Sequence, residues 1–412
     1  MEVTYPVCCG LDIHRKSVTA CLLTPGDGPA PRQQVRTFGT MTADLERLRD
    51  WLLAAGCTHV AMESTGVYWV PIWNVLETHV TLALVNPEHF KRVPGRKTDI
   101  TDSQWLADLL RHGLLRPSFV PEREQRELRE LTRYRTSLIG ERSAEVNRLH
   151  KTLEGANLKL GVVVSDLLGV SARQMLEQLV AGEADPSVLA ELARGRLRDK
   201  LALLERALAG SVGAHQRFLL ARQLSHIDSL DALIGELDAE VATRLRPFAE
   251  VLERLDAIPG VGQRTAEILL AEVGTAVTRF PTAAELASWA GMCPGNQHSA
   301  GKRGSGRTRK GNKWLRAALV EAAKAASRSR GTYLSAQHQR LRGRRGAKRA
   351  AVAVGHSILV SVWHMLHDGS AYHELGGQYF DQRARDAVER QCIRRLEQLG
   401  NVVTLQRQEV HG

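Results

Sequence analysis

Up to about residue 115, apolar residues fall in short runs separated by polar turns, with one stretch of helical spacing among them. Val7 to Ile13 is a compact apolar run, Ser17 to Leu23 follows across a short polar turn, and Gln33 to Gly39 makes a third strand-like segment. Thr42 then reads as an N-cap opening a helix with Leu45, Leu48, Leu52 and Leu53 at helical spacing. His59 to Met62 is another strand, ending at Glu63; Thr81 to Val85 is a fifth, and Thr101 to His112 is helical. Strands first, then strands alternating with helices, predict an α/β domain with a mixed sheet.

From about Pro121 the pattern changes. Glu122 to Leu153 is dense in Glu and Arg, with Leu128, Leu131, Leu138, Val146, Leu149 and Leu153 along one side. His215 to Arg246 repeats this with Leu220, Leu224, Ile227, Ile234, Leu237, Val241 and Leu245 in near-heptad spacing. Both predict long amphipathic, coiled-coil-like helices, pairing antiparallel or between subunits. Gly155 to Gly210, with its Asp185-Pro186 turn, reads as shorter helices between them. The expected division is an α/β domain over 1–120, a helical middle over 121–250, a compact all-α basic domain over 251–380 and a polar terminal helix or tail over 381–412.

Composition narrows the class. A formal charge of +11 points to a polyanionic partner without saying which. Ala350 to Leu366 is the most apolar stretch, but Gly355, His356, Ser357 and His364 interrupt it, which suits a buried helix and not a membrane span. No signal-peptide pattern opens the chain. The six cysteines (8, 9, 21, 57, 293 and 392) form no Cys-x-x-Cys pair, so neither zinc nor a disulfide framework is indicated, and a cytoplasmic protein is expected.

The candidate chemistry lies in four acids. Asp12 stands at the end of the first strand and Glu63 at the end of the fourth; Asp99 and Asp102 lie three apart where the next helix begins. An i, i+3 pair shares one helix face. Phosphodiester chemistry uses such a set to hold two Mg²⁺ (or Mn²⁺) ions about 4 Å apart. Any one of these acids alone reads more readily as a loop residue or a helix cap. The order of all four along strand, strand and helix is that of a ribonuclease-H-like domain.

Gly-Leu-Asp-Ile-His-Arg-Lys (10–16), Met-Glu-Ser-Thr-Gly-Val-Tyr-Trp (62–69) and Arg-Lys-Thr-Asp-Ile-Thr-Asp-Ser (96–103) resemble the DEDD transposases of insertion sequences. In those enzymes the N-terminal domain is similar to the RuvC junction resolvase. The resemblance covers about residues 7–120 and resumes over about 250–370. It implies that Asp12, Glu63, Asp99 and Asp102 are catalytic metal ligands.

Further on, Ile258-Pro259-Gly260-Val261-Gly262 before Thr265-Ala266-Glu267 reads as a helix-hairpin-helix turn. Gly260 and Gly262 would free backbone N–H groups for a phosphate, unless the turn merely joins two helices. Ser299 to Arg316 carries Lys302, Arg303, Arg307, Arg309, Lys310, Lys313 and Arg316 with no acid, and Arg340, Arg342, Arg344, Arg345, Lys348 and Arg349 form a second cluster. A charge run is often only a solvated face; two of them on a chain with nuclease-like acids point to nucleic acid.

Residues 286–316 also resemble the second block of the same transposases, in which a serine is the proposed nucleophile. The matching position is Ser299, although this chain has Ser-Ala-Gly where the family more often has Ser-Gly-Gly, and Ser305 is close by. The resemblance further implies double-stranded donor and target DNA, and a structured guide RNA encoded beside the gene. It also fits a homo-oligomer, dimer or tetramer, built through the long helices, acting at the bacterial nucleoid. Two other readings stay open: a hydrolytic junction resolvase, and a non-catalytic nucleic-acid binder. A tyrosine recombinase does not fit, since His356 and Tyr372 lack the companions that chemistry needs.

Overall fold

The computed structural model describes residues 2–28, 30–64, 66–86, 102–275, 277–295, 298–299, 302–303, 308, 310–383, 385–400 and 402–404, with the backbone alone at 298–299, 302–303 and 386–388. It divides into two units, Met1–Pro121 and Glu122–Gly412, and each is taken by itself.

The first unit is organised around its first strand. β1 (Cys8–Ile13) pairs antiparallel with β2 (Val18–Thr24), which pairs antiparallel with β3 (Arg32–Phe38). On its other side β1 runs parallel to β4 (His59–Glu63), and β4 parallel to β5 (Thr81–Val85), giving the order β3-β2-β1-β4-β5. The predicted mixed sheet is therefore present, within one or two residues at every strand end.

Alternation along β1 and β4 separates two apolar faces. Cys9, Leu11, Ile13, Val60 and Met62 pack with Leu45, Leu48 and Leu52 of α1 (Thr42–Ala54) and with Ile72 and Leu76 of α2 (Trp69–Leu76). Each such fully buried side chain stabilises by roughly 1.5–3 kcal/mol before chain entropy is set against it. Thr42 is not the N-cap expected of it: Met41 holds that position, and no side chain caps the helix.

On the opposite face Cys8, Cys21, Leu23 and Ala61 meet Ala107 and Leu110 of α3 (Asp102–Arg111). The contact is close enough to require a glycine. A Cβ at Gly10 would lie 2.2 Å from the Ser103 carbonyl oxygen and 2.5 Å from the Ala107 nitrogen.

Among its described residues, the regular structure of the second unit is helical apart from one small ribbon. α4 (Arg123–Gly155) and α9 (Ala214–Leu245) are the two long helices read from the heptad-like spacing. They lie antiparallel. Arg244 donates to Glu127 at 2.9 Å, Arg135 to Asp238 at 2.8 Å and Arg142 to Asp231 at 3.0 Å, so the partner number falls as the α4 number rises. Leu138, Leu230 and Ile234 close the seam between these pairs.

Between the long helices, α5 (Leu160–Val163), α6 (Val170–Ala181), α7 (Pro186–Ala190) and α8 (Leu201–Leu208) gather around Leu160, Met175, Leu176, Leu189 and Leu204. Asp185-Pro186 starts α7 there: Asp185 accepts from the Ser187 N–H at 2.9 Å, and Pro186 occupies the first turn, where its missing N–H costs nothing.

The chain continues through α10 (Ala249–Asp256), α11 (Gln263–Val273) and α12 (Ala283–Trp289) to a ribbon of β6 (His298–Ser299) and β7 (Lys302–Arg303). α13 (Lys313–Ala326), α14 (Tyr333–Arg345), α15 (Ala347–Asp368), α16 (Tyr379–Arg383) and α17 (Arg385–Gln398) complete it. The apolar stretch at 350–366 lies within α15, which buries Val354, Ile358, Leu359 and Val362. Among the described residues α15 alone has the length and apolarity to cross a membrane, and half of that apolar window is buried.

Candidate active site

Three of the four predicted acids reach the same end of the same sheet face. In the β1–β4 ladder Leu11 stands opposite Met62, so Asp12 and Glu63 are the next residues along neighbouring parallel strands. Both alternate away from the α1–α2 core, onto the face that α3 covers. α3 runs against β1. Its last residue, Arg111, accepts from the Thr4 and Tyr5 N–H groups at 2.9 and 3.1 Å, while Ser103 lies over Gly10. Its first residue, Asp102, is thereby carried toward the Asp12 end.

Asp99 lies outside the described residues. Among those described, no three His, Cys, Asp or Glu side chains stand close enough together to hold a metal ion. The donor chemistry still favours a hard cation. Burial pushes the Cys8 thiol up to about 12 and that of Cys21 to about 11, so the sulfurs beneath this face stay protonated at neutral pH. Asp12, Glu63 and Asp102 would offer carboxylate oxygens, the donors that a hard cation prefers.

One neighbour of this site was not anticipated. His14 Nε2 lies 3.3 Å from Asp12 Oδ2, with the Asp12 side chain 26% exposed and that of His14 69%. Spacing could have flagged it: His14 directly follows β1, two residues from Asp12, and residues i and i+2 of an extended chain share a face.

In the second unit, the turn from Ile258 to Gly262 joins α10 to α11, and its two glycines differ. Gly260 has φ +86°, and a Cβ there would lie 2.3 Å from the Ala322 carbonyl oxygen and 2.5 Å from the Ala326 nitrogen. It is a packing glycine, pressed against α13. Gly262 precedes α11 as its N-cap, and a Cβ there would meet nothing within 4 Å.

Ser299 pairs with Lys302, and His298 with Arg303, in the β6–β7 ribbon, while Pro294 bridges to Thr308 nearer its base. Ser305, Arg307 and Arg309 lie outside the described residues. Lys310 and Lys313 are exposed, with the Lys313 ammonium 4.9 Å from the Trp314 ring centre. Arg316 turns inward and donates to the Gly291 carbonyl and to Thr308 Oγ1, each at 2.6 Å, so part of its charge supports the ribbon's base. Arg344, Arg345 and Lys348 are exposed around the turn at Gly346 between α14 and α15.

Two family models match this chain. A DEDD transposase model covers residues 9–158, which include all four acids, and a model of the IS116/IS110/IS902 transposases covers residues 252–340, which include Ser299. Together they take in more than half of the sequence. The chain belongs to the IS110 family of transposases.

Relatives agree with that membership. A probable family 20 transposase of Pseudomonas aeruginosa is 26% identical over 336 residues, covering 79% of this chain and 89% of its own. The transposase for insertion sequence element IS1111A of Coxiella burnetii is 26% identical over 330 residues, 78% of this chain and 80% of its own. An insertion element IS110 protein of 43.6 kDa from Streptomyces coelicolor is 28% identical over 302 residues, 68% of this chain and 73% of its own. The exposed cations at 344, 345 and 348 lie beyond the matched segment of this transposase.

Proposed function

We propose that this transposase cuts and rejoins double-stranded DNA using Asp12, Glu63, Asp99 and Asp102 as ligands for Mg²⁺ or Mn²⁺ and Ser299 as nucleophile. The observation that carries the reading is the arrival of Asp12, Glu63 and Asp102 at one end of one sheet face. Bound there, such ions would lower the pKa of an attacking hydroxyl and neutralise charge gathering on the phosphate.

The serine step conserves its bonds. Ser299 Oγ loses its proton and attacks phosphorus; an Oγ–P bond forms as the bond from phosphorus to the leaving sugar oxygen breaks, and that oxygen takes a proton. Because one phosphodiester replaces another, a later attack by a DNA hydroxyl reverses the exchange and rejoins strands without an energy source.

The proposal extends to the partners. The net charge of +11 and the exposed Lys310, Lys313, Arg344, Arg345 and Lys348 fit donor and target DNA and a structured guide RNA. Gly262, open at the start of α11, fits a backbone contact to phosphate within a helix-hairpin-helix. The long α4 and α9 would serve a dimer or tetramer at the nucleoid, in the cytoplasm.

Strand cleavage of a duplex carrying the element's own ends tests the metal reading. Cleavage is expected in Mg²⁺ and Mn²⁺, with none in EDTA and none for Glu63→Gln or Asp102→Asn in either ion. Undiminished cleavage in EDTA would end it.

A further inference from the structure

Ser299 lies between Gly291, which follows α12, and Asn312, which precedes α13, and the Asn312 end is tied to one buried carboxylate. Glu272, on α11, is fully buried, with 0% exposure. Arg133 of α4 donates to its two oxygens at 2.7 and 2.8 Å. Arg129, one turn earlier on α4, approaches the same carboxylate at 3.4 Å and donates to the Ala271 carbonyl at 3.0 Å. Asn312 donates to Glu272 Oε2 at 2.6 Å.

Asn312 has a second task. Its Oδ1 accepts from the Trp314 and Leu315 N–H groups at 3.0 and 3.1 Å, which makes it the N-cap of α13. One side chain thus fixes the start of α13 and hangs it on Glu272. The other end is held by contact: a Cβ at Gly311 would lie 2.3 Å from the Gly291 nitrogen. Arg316, in the first turn of α13, donates to the Gly291 carbonyl. The Arg129 guanidinium also lies 5.9 Å from the ring centre of Trp289, at the end of α12 just before Gly291.

A carboxylate with no exposure, holding two arginines of α4 and an amide of α13, is costly unless every bond is kept. It therefore resists displacement of any partner. From this geometry we infer that Glu272 is a positioning residue for Ser299, acting through Asn312 to hold both ends of the serine segment in register with α4. The inference rests on the serine reading above, and it adds a route by which a shift of α4 reaches the nucleophile.

An exchange of groups across the Glu272–Asn312 bond tests this in the full-length protein. Asn312→Asp keeps an N-cap as good as asparagine but sets a carboxylate against Glu272. Glu272→Gln combined with Asn312→Asp restores one amide and one carboxylate with the original net charge. The readouts are amide hydrogen exchange over 291–312, equilibrium affinity for a labelled duplex carrying the element's ends, and single-turnover formation of protein–DNA adduct at saturating duplex.

Asn312→Asp is expected to speed exchange in that segment and to lower the adduct rate on the order of a hundredfold, with duplex affinity little changed. The double variant should regain about tenfold or more, as contacting residues that act as a pair do. Wild-type exchange in Asn312→Asp, or a double variant no better than the single one, overturns the positioning role. If wild-type protein makes no adduct while exchange follows the expected pattern, the serine reading fails and the hold on the segment stands.

Discussion

Two sets of acids in this molecule show how the same residue types come to do different work. Asp12, Glu63 and Asp102 are half-buried at the end of a sheet face, and Asp12 lies beside an exposed imidazole. Glu267 and Glu272 lie inside the helical unit, at 3% and 0% exposure, each matched by arginine. Arg135 joins Glu267 and Asp238 at 2.6 and 2.8 Å, with its own side chain 1% exposed. A carboxylate neutralised by buried guanidinium groups is fully committed to the fold. Asp12, Glu63 and Asp102, at the end of a sheet face, keep partial access to solvent.

The largest separation between the two sets is expected in activity. Asp12→Asn should lower DNA cleavage by more than the roughly 10–100-fold that loss of a metal ligand's supporting hydrogen bond costs, with little change in melting temperature. Cleavage within a few-fold of wild type would remove Asp12 from the metal site. Glu272→Ala should do the reverse of a clean catalytic lesion. It leaves Arg129 and Arg133 facing a buried gap and should destabilise the helical unit by about 3–5 kcal/mol, measured by denaturant titration.

A smaller effect is set by pH. Burial holds the His356 imidazole, on α15, below its usual range, and burial followed by the Arg342 charge does the same to His338, on α14. A depressed folded-state pKa means that the unfolded chain binds protons first on acidification. Stability is therefore fully present above the unfolded value of about 6.5 and is lost as pH falls through the lower folded value. Replacing His356 with Gln should flatten the fall in stability between neutral and mildly acidic pH; an unchanged slope would show that His356 contributes nothing to it.

The smallest effect lies on the surface. Arg344→Ala and Lys348→Ala should each weaken binding evenly across DNA sequences and reduce the salt-dependence slope by about one. A change confined to one sequence would instead assign base contact.

Much of the first unit was legible along the chain, because its strands are short, apolar and bounded by turns. Thr81–Val85 is the fifth strand at both ends as read. The helix at Trp69–Leu76 was not: its run of Trp, Val, Ile and Leu has no polar face, and Pro71 reads as a breaker although it sits in the first turn, where proline is tolerated. The order of the four acids was visible, but the approach of Asp12, Glu63 and Asp102 to one end of one sheet face depends on the Leu11–Met62 register and on how α3 lies over Gly10. Glu272 was not legible as a hub at all. Arg133 is 139 residues away from it and Asn312 is 40, and no local periodicity connects them.

The most direct test of the central claim is a search for denaturant-stable protein–DNA adducts. Full-length protein, with any RNA that co-purifies, would be incubated with Mg²⁺ and labelled duplex carrying the element's junction. A serine mechanism dependent on the carboxylate site predicts an adduct with wild-type protein that is absent for both Ser299→Ala and Asp12→Ala. Nicked DNA without any adduct, or an adduct that persists in Ser299→Ala, would contradict it.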